Sequence, residues 1–357
     1  MPPFNQSDIS ETKESFAPSV SVIMSVYNGE QFLREAVQSI LDQSFTNFEL
    51  IVVDDGSTDT SLEVLQSYAD VDRRVKIISR VNKGLIASLN EAAGRAVAPL
   101  LARMDGDDVA HPNRFQAQVQ EFNKRPNLVA LGSQVRFVGA DGLASGKTLK
   151  YPVGQAEVKD NHCRGGPFVA HPSLMMRTSV FKLSGGYRAP FVAAEDLDLL
   201  YRLFELGEID NLNGVFLDYR FHGKNISIVG GYKQMLTRAV LIELVEAKAK
   251  RGVDYLSKLK GAIDIDTIEN QTGYLGLRDR LVARLVDRGF TYNHHAVLTN
   301  EGFGLLGDRL KNLSISNLPV EKNLRFALIW TTLKTIVRTK NFSWLLKLLA
   351  LAFRSGK

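Results

Sequence analysis

The chain has 357 residues, 45% hydrophobic and 23% charged, which fits a globular protein of two or three domains and excludes a disordered or fibrous one. Its net charge of +5 is mildly basic, and with no aromatic-basic platform in the sequence it gives no reason to expect a nucleic-acid partner. The single cysteine, Cys163, excludes an internal disulfide, fits a reducing, cytoplasmic setting, and leaves no Cys/His cluster for zinc.

Residues 1–17 read as a polar tail lacking the apolar core of a signal peptide. Val20 to Tyr27 is apolar and β-branched, the pattern of a buried parallel strand, and Asn28-Gly29 ends it. Phe32, Leu33, Ala36, Val37, Ile40 and Leu41 then form a helical stripe. A second strand, Phe48 to Val53, stops at Asp54-Asp55-Gly56-Ser57, and a helix from Thr60 to Tyr68 follows, capped by Thr58 or Asp59. Val75 to Ser79 is a third strand, Leu85 to Ala96 a third helix, and Pro99 to Met104 a fourth strand that runs into Asp105-Gly106-Asp107-Asp108. A helix after Pro112 reaches about Lys124. Strands follow over 128–138, with a hairpin turn at Ala140-Asp141-Gly142. Residues 167–177 read as extended, Gly185-Gly186-Tyr187 as a turn, Glu195-Asp196 as the head of a helix, and Val215 to His222 as a last strand. From Tyr232 the pattern is helical, which places a boundary near Gly230: a tail over 1–17, a domain over 18–229 and a helical region over 230–357.

This alternation predicts an α/β fold, a Rossmann-like and mostly parallel sheet with helices on both faces. Ligands of such sheets sit beyond the carboxyl ends of the strands. Ser25/Asn28, Asp54/Asp55, Asn82/Lys83 and Asp105/Asp107 all fall there. The first turn, Tyr27-Asn28-Gly29-Glu30, is not the Gly-x-Gly-x-x-Gly of a dinucleotide fold, and no P-loop occurs, so a nucleotide would be held by side chains and metal.

Three carboxylates in four positions repel one another unless water or a cation compensates them. Mg²⁺ and Mn²⁺ prefer oxygen ligands, and Mg²⁺ is commonly shared between one or two carboxylates and substrate phosphates. Asp107 is the preferred ligand, Asp105 a ligand or a ribose contact, and Asp108 a residue that orients the loop or caps the Pro112 helix. Asp55 suits either a nucleobase edge, together with a backbone group near Ser25, or a turn closed with Gly56 and Ser57. Lys83 suits uracil, phosphate or solvent. Glu195-Asp196 serves either helix-start electrostatics or chemistry, with Asp196 as general base toward an acceptor hydroxyl and Glu195 positioning the acceptor. His222 is a structural residue, a third metal ligand or a phosphate contact, and Arg220 could pair with the acidic edge. His171-Pro172-Ser173 lines an acceptor pocket or packs as a loop.

The segments Val20 to Asn28 and Glu49 to Asp59, then Asn82-Lys83-Gly84-Leu85, Asp105-Gly106-Asp107-Asp108, Gly185-Gly186-Tyr187 and Glu195-Asp196, resemble in that order family 2 glycosyltransferases. The resemblance spans about residues 18–228. It implies a GT-A fold, a nucleotide-diphosphate sugar donor, a divalent metal (Mn²⁺ or Mg²⁺) and inversion at the anomeric carbon. Carried over by position, Asp55 binds the nucleobase, Asp107 binds metal and Asp196 is the base; Ser25, Tyr27, Lys83 and Asp105 stand beside them as further candidates toward the donor. Tyr219-Arg220-x-His222 resembles the family's closing motif, where a histidine sometimes approaches the metal. The Gln-x-x-Arg-Trp of processive members is missing: Gln234 and Arg238 have the wrong spacing and no Trp follows. Transfer of one sugar is expected, from a UDP-sugar to a saccharide or lipid-linked acceptor in surface polysaccharide or glycolipid assembly. A catalytically silent sugar-nucleotide-binding scaffold on the same fold is the alternative, and the joint presence of Asp55, Asp107 and Asp196 favours the enzyme.

Outside the resemblance, residues 323–357 carry seven basic and no acidic side chains, with apolar runs around Trp330 and Trp344. This suits a peripheral anchor on the inner-membrane surface, or a helix packed on the catalytic domain.

Overall fold

The computed structural model describes residues 17–163, 167–192, 194–222, 231–281 and 284. The expected polar tail up to residue 16 and the basic segment 323–357 lie outside the described residues. The described chain divides into two compact units, one holding the residues up to Gly186 and Arg202–Arg220, the other Tyr187–Tyr201 and the residues from Phe221 on.

In the first unit, β1 (Val20–Val26), β2 (Phe48–Asp54), β3 (Val75–Ser79) and β4 (Leu100–Asp105) are parallel, in the order β3-β2-β1-β4. The central β1 (VSVIMSV) and β2 (FELIVVD) are mostly apolar and buried because helices cover both faces. Val22 and Met24 of β1 join Leu33, Ala36, Val37 and Ile40 of α1 (Glu30–Leu41) and Phe115 and Phe122 of α4 (Arg114–Lys124) in one core. Ile23, Ile51 and Val53 alternate to the other face and are buried there; α3 (Leu85–Arg95) packs on β1 and β2, while α2 (Ser61–Ala69) packs against β3.

Beyond β4 the sheet becomes mixed. β8 (Met175–Arg177) runs antiparallel to both β4 and β6 (Leu128–Val138). β9 (Glu208–Arg220) is parallel to β6 and is crossed at its far end by the two-residue β5 (Val109–Ala110), while β7 (Ala144–Leu149) folds back on β6. The expected parallel sheet is therefore its first half. The second half is mixed: β8 is antiparallel to both of its neighbours, whereas β9 is parallel to β6. β9 begins at Glu208, seven residues before the strand predicted from Val215, and α5 (Gln155–Cys163) and α6 (Thr178–Leu183) lie in stretches to which the sequence reading gave no element.

In the second unit, the early turns of α7 (Glu195–Phe204) carry Glu195, Asp196 and Asp198; α8 (Gly231–Arg251) and α9 (Ile268–Thr272) are helices within the stretch expected to be helical, most of which lies outside the described residues. Arg284 donates to Glu243 and Glu246 of α8 at 2.7 and 2.8 Å. Among the described residues no helix is long and apolar enough to cross a membrane.

Candidate active site

Strand register decides which polar residues share an edge. Ser25 on β1 lies between Val53 on β2 and Asp105 on β4, Val26 lies beside Asp54, and Asp54 beside Ser79. The carboxyl ends of β3, β2, β1 and β4 thus form one rim, on which the ends of β2 and β4 stand roughly 10 Å apart across β1. Tyr27 projects there, 54% exposed.

Two loops are knitted together at this rim. Asn28, at φ +52°, takes the left-handed conformation that asparagine tolerates better than most residues. Its backbone N–H donates to Ser57 Oγ at 3.0 Å, and its side-chain oxygen accepts from Thr58 N at 2.8 Å. Gly29 N donates to Ser61 Oγ, and Thr60 donates to Glu30. Gly56, at φ +76°, sits so close to the next loop that a Cβ would lie 2.8 Å from Asn82 N, so the turn requires glycine.

Asp55 is buried, and its backbone N–H donates to Val26 O at 2.8 Å. Its carboxylate accepts from Arg80 Nη1, from Lys83 N at 2.8 Å and from Gly84 N at 2.8 Å. Arg80 is held in turn by Glu91 and Ser88. Asp55 therefore fixes the Asn82–Gly84 loop, and three of the roughly four acceptor positions of a carboxylate are filled. The Lys83 side chain is exposed beside it.

The acidic loop is built differently. One carboxylate oxygen from each of Asp105, Asp107 and Asp108 falls in a group whose members all lie within 4.8 Å of one another. Asp105 pairs with Arg103, which stands two residues back on the same face of β4 and is buried. Asp108 is buried. Its Oδ1 accepts from Arg220 N at 2.9 Å, and its Oδ2, also buried, takes no hydrogen bond among the described residues. Burial, and then the charges of Asp105 and Asp107, push the Asp108 carboxyl well above the usual range. Asp108 does not cap α4, whose N-cap position is Asn113; it orients the loop. Beneath the loop the fully buried Arg114 donates to Arg103 O at 2.8 Å, and burial together with the Arg103 charge lowers its guanidinium to about 9.

Three predicted site residues belong to the second unit. Glu195 is buried at the start of α7, and Asp196, half-buried, accepts from Leu197 N at 2.7 Å through Oδ1. Asp198, fully buried, pairs with Arg188, whose guanidinium lies 4.8 Å from the Phe191 ring centroid. His222 is half-buried. In the first unit, His171 lies in a buried 3-10 turn, His171–Ser173, where Ser173 Oγ ties Ser133 N to Ala170 O, so the packed-loop reading of that segment holds.

The rim thus gathers Ser25, Tyr27, Asp55, Lys83, Asp105 and Asp107, all named from the sequence. Sequence reading passed over Arg80, Arg103 and Glu35, because nothing in the local pattern separates a solvated arginine or helix glutamate from one paired across the fold. Asp108 carried a signal, its place as the third carboxylate of the cluster. The donor set of three hard oxygens with one buried orphan fits a divalent cation of the Mg²⁺ or Mn²⁺ type.

A sequence model of the family described as glycosyl transferase family 2 matches residues 21–184. The Bacillus subtilis protein EpsE is 38% identical over 194 residues, 53% of this chain and 68% of its own. The O-antigen biosynthesis glycosyltransferase WbnJ of Escherichia coli is 33% identical over 216 residues, 58% of this chain and 81% of its own. Among solved structures, S. aureus TarS 1-349 aligns over 95% of this chain and 92% of that one, with a TM-score of 0.55 at 18% identity; it is also solved with UDP and with UDP-GlcNAc. At that identity the likeness shows the GT-A fold.

Proposed function

This chain belongs to glycosyl transferase family 2, and on that premise we propose that it moves a single sugar, with inversion, from a UDP-sugar to a hydroxyl of a saccharide or lipid-linked acceptor. The observation that carries the reading is the acidic loop at the end of β4, with three carboxylates in mutual reach and a buried Asp108 oxygen that no donor among the described residues answers. The O-antigen role in the name of WbnJ supports surface polysaccharide assembly, and the TarS complexes with UDP and UDP-GlcNAc support the donor class.

Asp107, Asp105 and Asp108 are the residues that would hold Mn²⁺ or Mg²⁺, with His222 as a further candidate ligand. When bound, the ion supplies positive charge to the departing diphosphate. Asp55 keeps one acceptor position for a ring N–H of the base, and its ties to Lys83 N and Gly84 N preform that contact. Tyr27 offers a ring face at the lip, Ser25 a backbone group, and the Lys83 ammonium a charge beside the base or phosphate. Asp196 takes the proton of the acceptor hydroxyl as it attacks the anomeric carbon, and Glu195 orients the acceptor. An ordinary carboxylate suffices as base, because glycosyl transfer passes through an oxocarbenium-like transition state with little demand on the nucleophile. Peripheral attachment to a membrane surface through residues 323–357 is part of the same proposal, and deletion of 341–357 should move the protein from membrane to soluble fractions.

The test is nucleotide release from a panel of sugar donors with Mn²⁺ or Mg²⁺. UDP release is expected from one UDP-sugar and is expected to be lost in Asp107→Ala. Asp196→Asn should lower kcat by about two to four orders of magnitude with donor binding nearly intact. Release confined to GDP- or dTDP-sugars would overturn the UDP assignment, and near-normal turnover in Asp196→Asn would return that residue to helix capping.

A further inference from the structure

Arg220 closes β9, and its guanidinium is buried directly behind the acidic loop. It is 2% exposed. Nε donates to the backbone oxygen of Asp107 at 2.8 Å, Nη1 to Gly139 O at 3.3 Å and Nη2 to the Glu35 carboxylate. Its backbone N–H donates to Asp108 Oδ1 at 2.9 Å, and the ring of Phe32 lies 4.8 Å from the guanidinium carbon. One residue thus holds two of the three loop carboxylate residues, one by main chain and one by side chain. Glu35 and Phe32, both on α1, hold Arg220. The pairing of Val109 with Asp218 and of Ala110 with Leu217 fastens the chain just past the loop to the same strand.

We propose that Glu35 and Arg220 form a positioning pair that sets the geometry and affinity of the cation site, with Arg220 shaping the loop and Glu35 offsetting its charge. The proposal rests on the reading of the acidic loop as a cation site. Neither residue is a ligand. Three carboxylates left to themselves spread apart, and a loop that must be gathered by the incoming ion binds it more weakly than one already gathered. Arg220 gathers it through neutral groups, the Asp107 carbonyl and its own N–H, so the carboxylate charge stays available. Its positive charge would by itself oppose a second cation nearby. The Glu35 carboxylate on Nη2 offsets that charge, so removing Glu35 both loosens the arginine and restores the repulsion. Both effects lower cation affinity. Lysine cannot replace Arg220, because one ammonium does not span the planar fan of acceptors formed by Asp107 O, Gly139 O and Glu35.

The experiment is direct Mn²⁺ binding to the full chain with UDP present, read by calorimetry or by the EPR signal of free Mn²⁺, beside the thermal midpoint without metal. Glu35→Gln is the main variant, since Glu35 is on the surface side of the pair, 56% exposed in its side chain, and the change does not threaten the fold. It should weaken Mn²⁺ about 3- to 10-fold, at the mild end of outer-shell effects, with a midpoint close to the parent's. Arg220→Lys should weaken Mn²⁺ by about 10-fold or more. Parent binding that Asp107→Ala abolishes, together with unchanged affinity in folded Glu35→Gln, would overturn the positioning pair and leave the cation site standing. A parent protein that binds no Mn²⁺ would overturn the cation site, and the pair with it.

Discussion

The carboxylates at the ends of β2 and β4 occupy equivalent places on one sheet edge and are treated in opposite ways. Asp55 is buried with a counterion, Arg80, and two backbone N–H donors. Asp108 is equally buried with a single backbone donor and two more carboxylates beside it. The first arrangement is complete without a ligand and stiffens the loop that carries it. The second stays short of positive charge, and its raised carboxyl pKa is the mark of that shortage. A stability measurement on either end therefore reports on function, because the preformed end should lose stability when its carboxylate is removed and the expectant end should gain it.

The largest effect is expected at the preformed end. Asp55→Ala leaves Arg80 and the N–H groups of Lys83 and Gly84 without their acceptor, and breaking a buried pair in this way costs about 3–5 kcal/mol. Urea unfolding of the variant checks this; a loss below about 1 kcal/mol would reduce Asp55 to a solvated turn residue. Asp108→Asn should act in the other direction. Removing a buried carboxyl whose charged form burial and two neighbouring carboxylates penalise is expected to raise the metal-free thermal midpoint by about 2–4 °C while weakening Mn²⁺ about 10-fold or more. A fall in the metal-free midpoint would break the contrast between the two ends.

The smallest effect provides a reference away from both ends. His162 on α5 stacks on Phe204 with ring centroids 4.0 Å apart, and burial lowers its imidazole from 6.5 to about 4, against a weak opposing pull from Glu205. Between those values the unfolded chain takes up a proton that the folded chain refuses, so stability is complete above about pH 6.5 and is lost as pH falls toward 4. His171, buried beside Arg103, is lowered in the same direction and steepens the slope. Urea midpoints at pH 7 and pH 5 should therefore differ less in His162→Gln than in the parent.

Much of this was legible from local pattern. The β-branched runs of β1 and β2, the apolar stripe of α1 and the acidic stop after β4 are statements about neighbours in sequence, and they placed Ser25, Asp55, Lys83, Asp105 and Asp107 on one rim. The first half of β9 was not legible. Glu208, Asp210 and Asn211 look like a polar turn, yet Arg125 pairs with Glu208 and Asp210, while Asn211 Nδ2 donates to Pro152 O and Phe168 O. A strand carries buried polar residues when distant partners satisfy them, and those partners are invisible to a sliding window.

By itself the sequence determined the alternation of strands and helices, the edge at which ligands are met and the residue types that meet them, because hydrophobic period and turn chemistry act over a few residues. Only the tertiary structure decided which carboxylates are answered and which are left waiting. Arg80 reaches Asp55 across 25 positions, and Arg220 reaches Asp108 across 112. Electrostatic compensation depends on distance in space, and the folded sheet sets that distance.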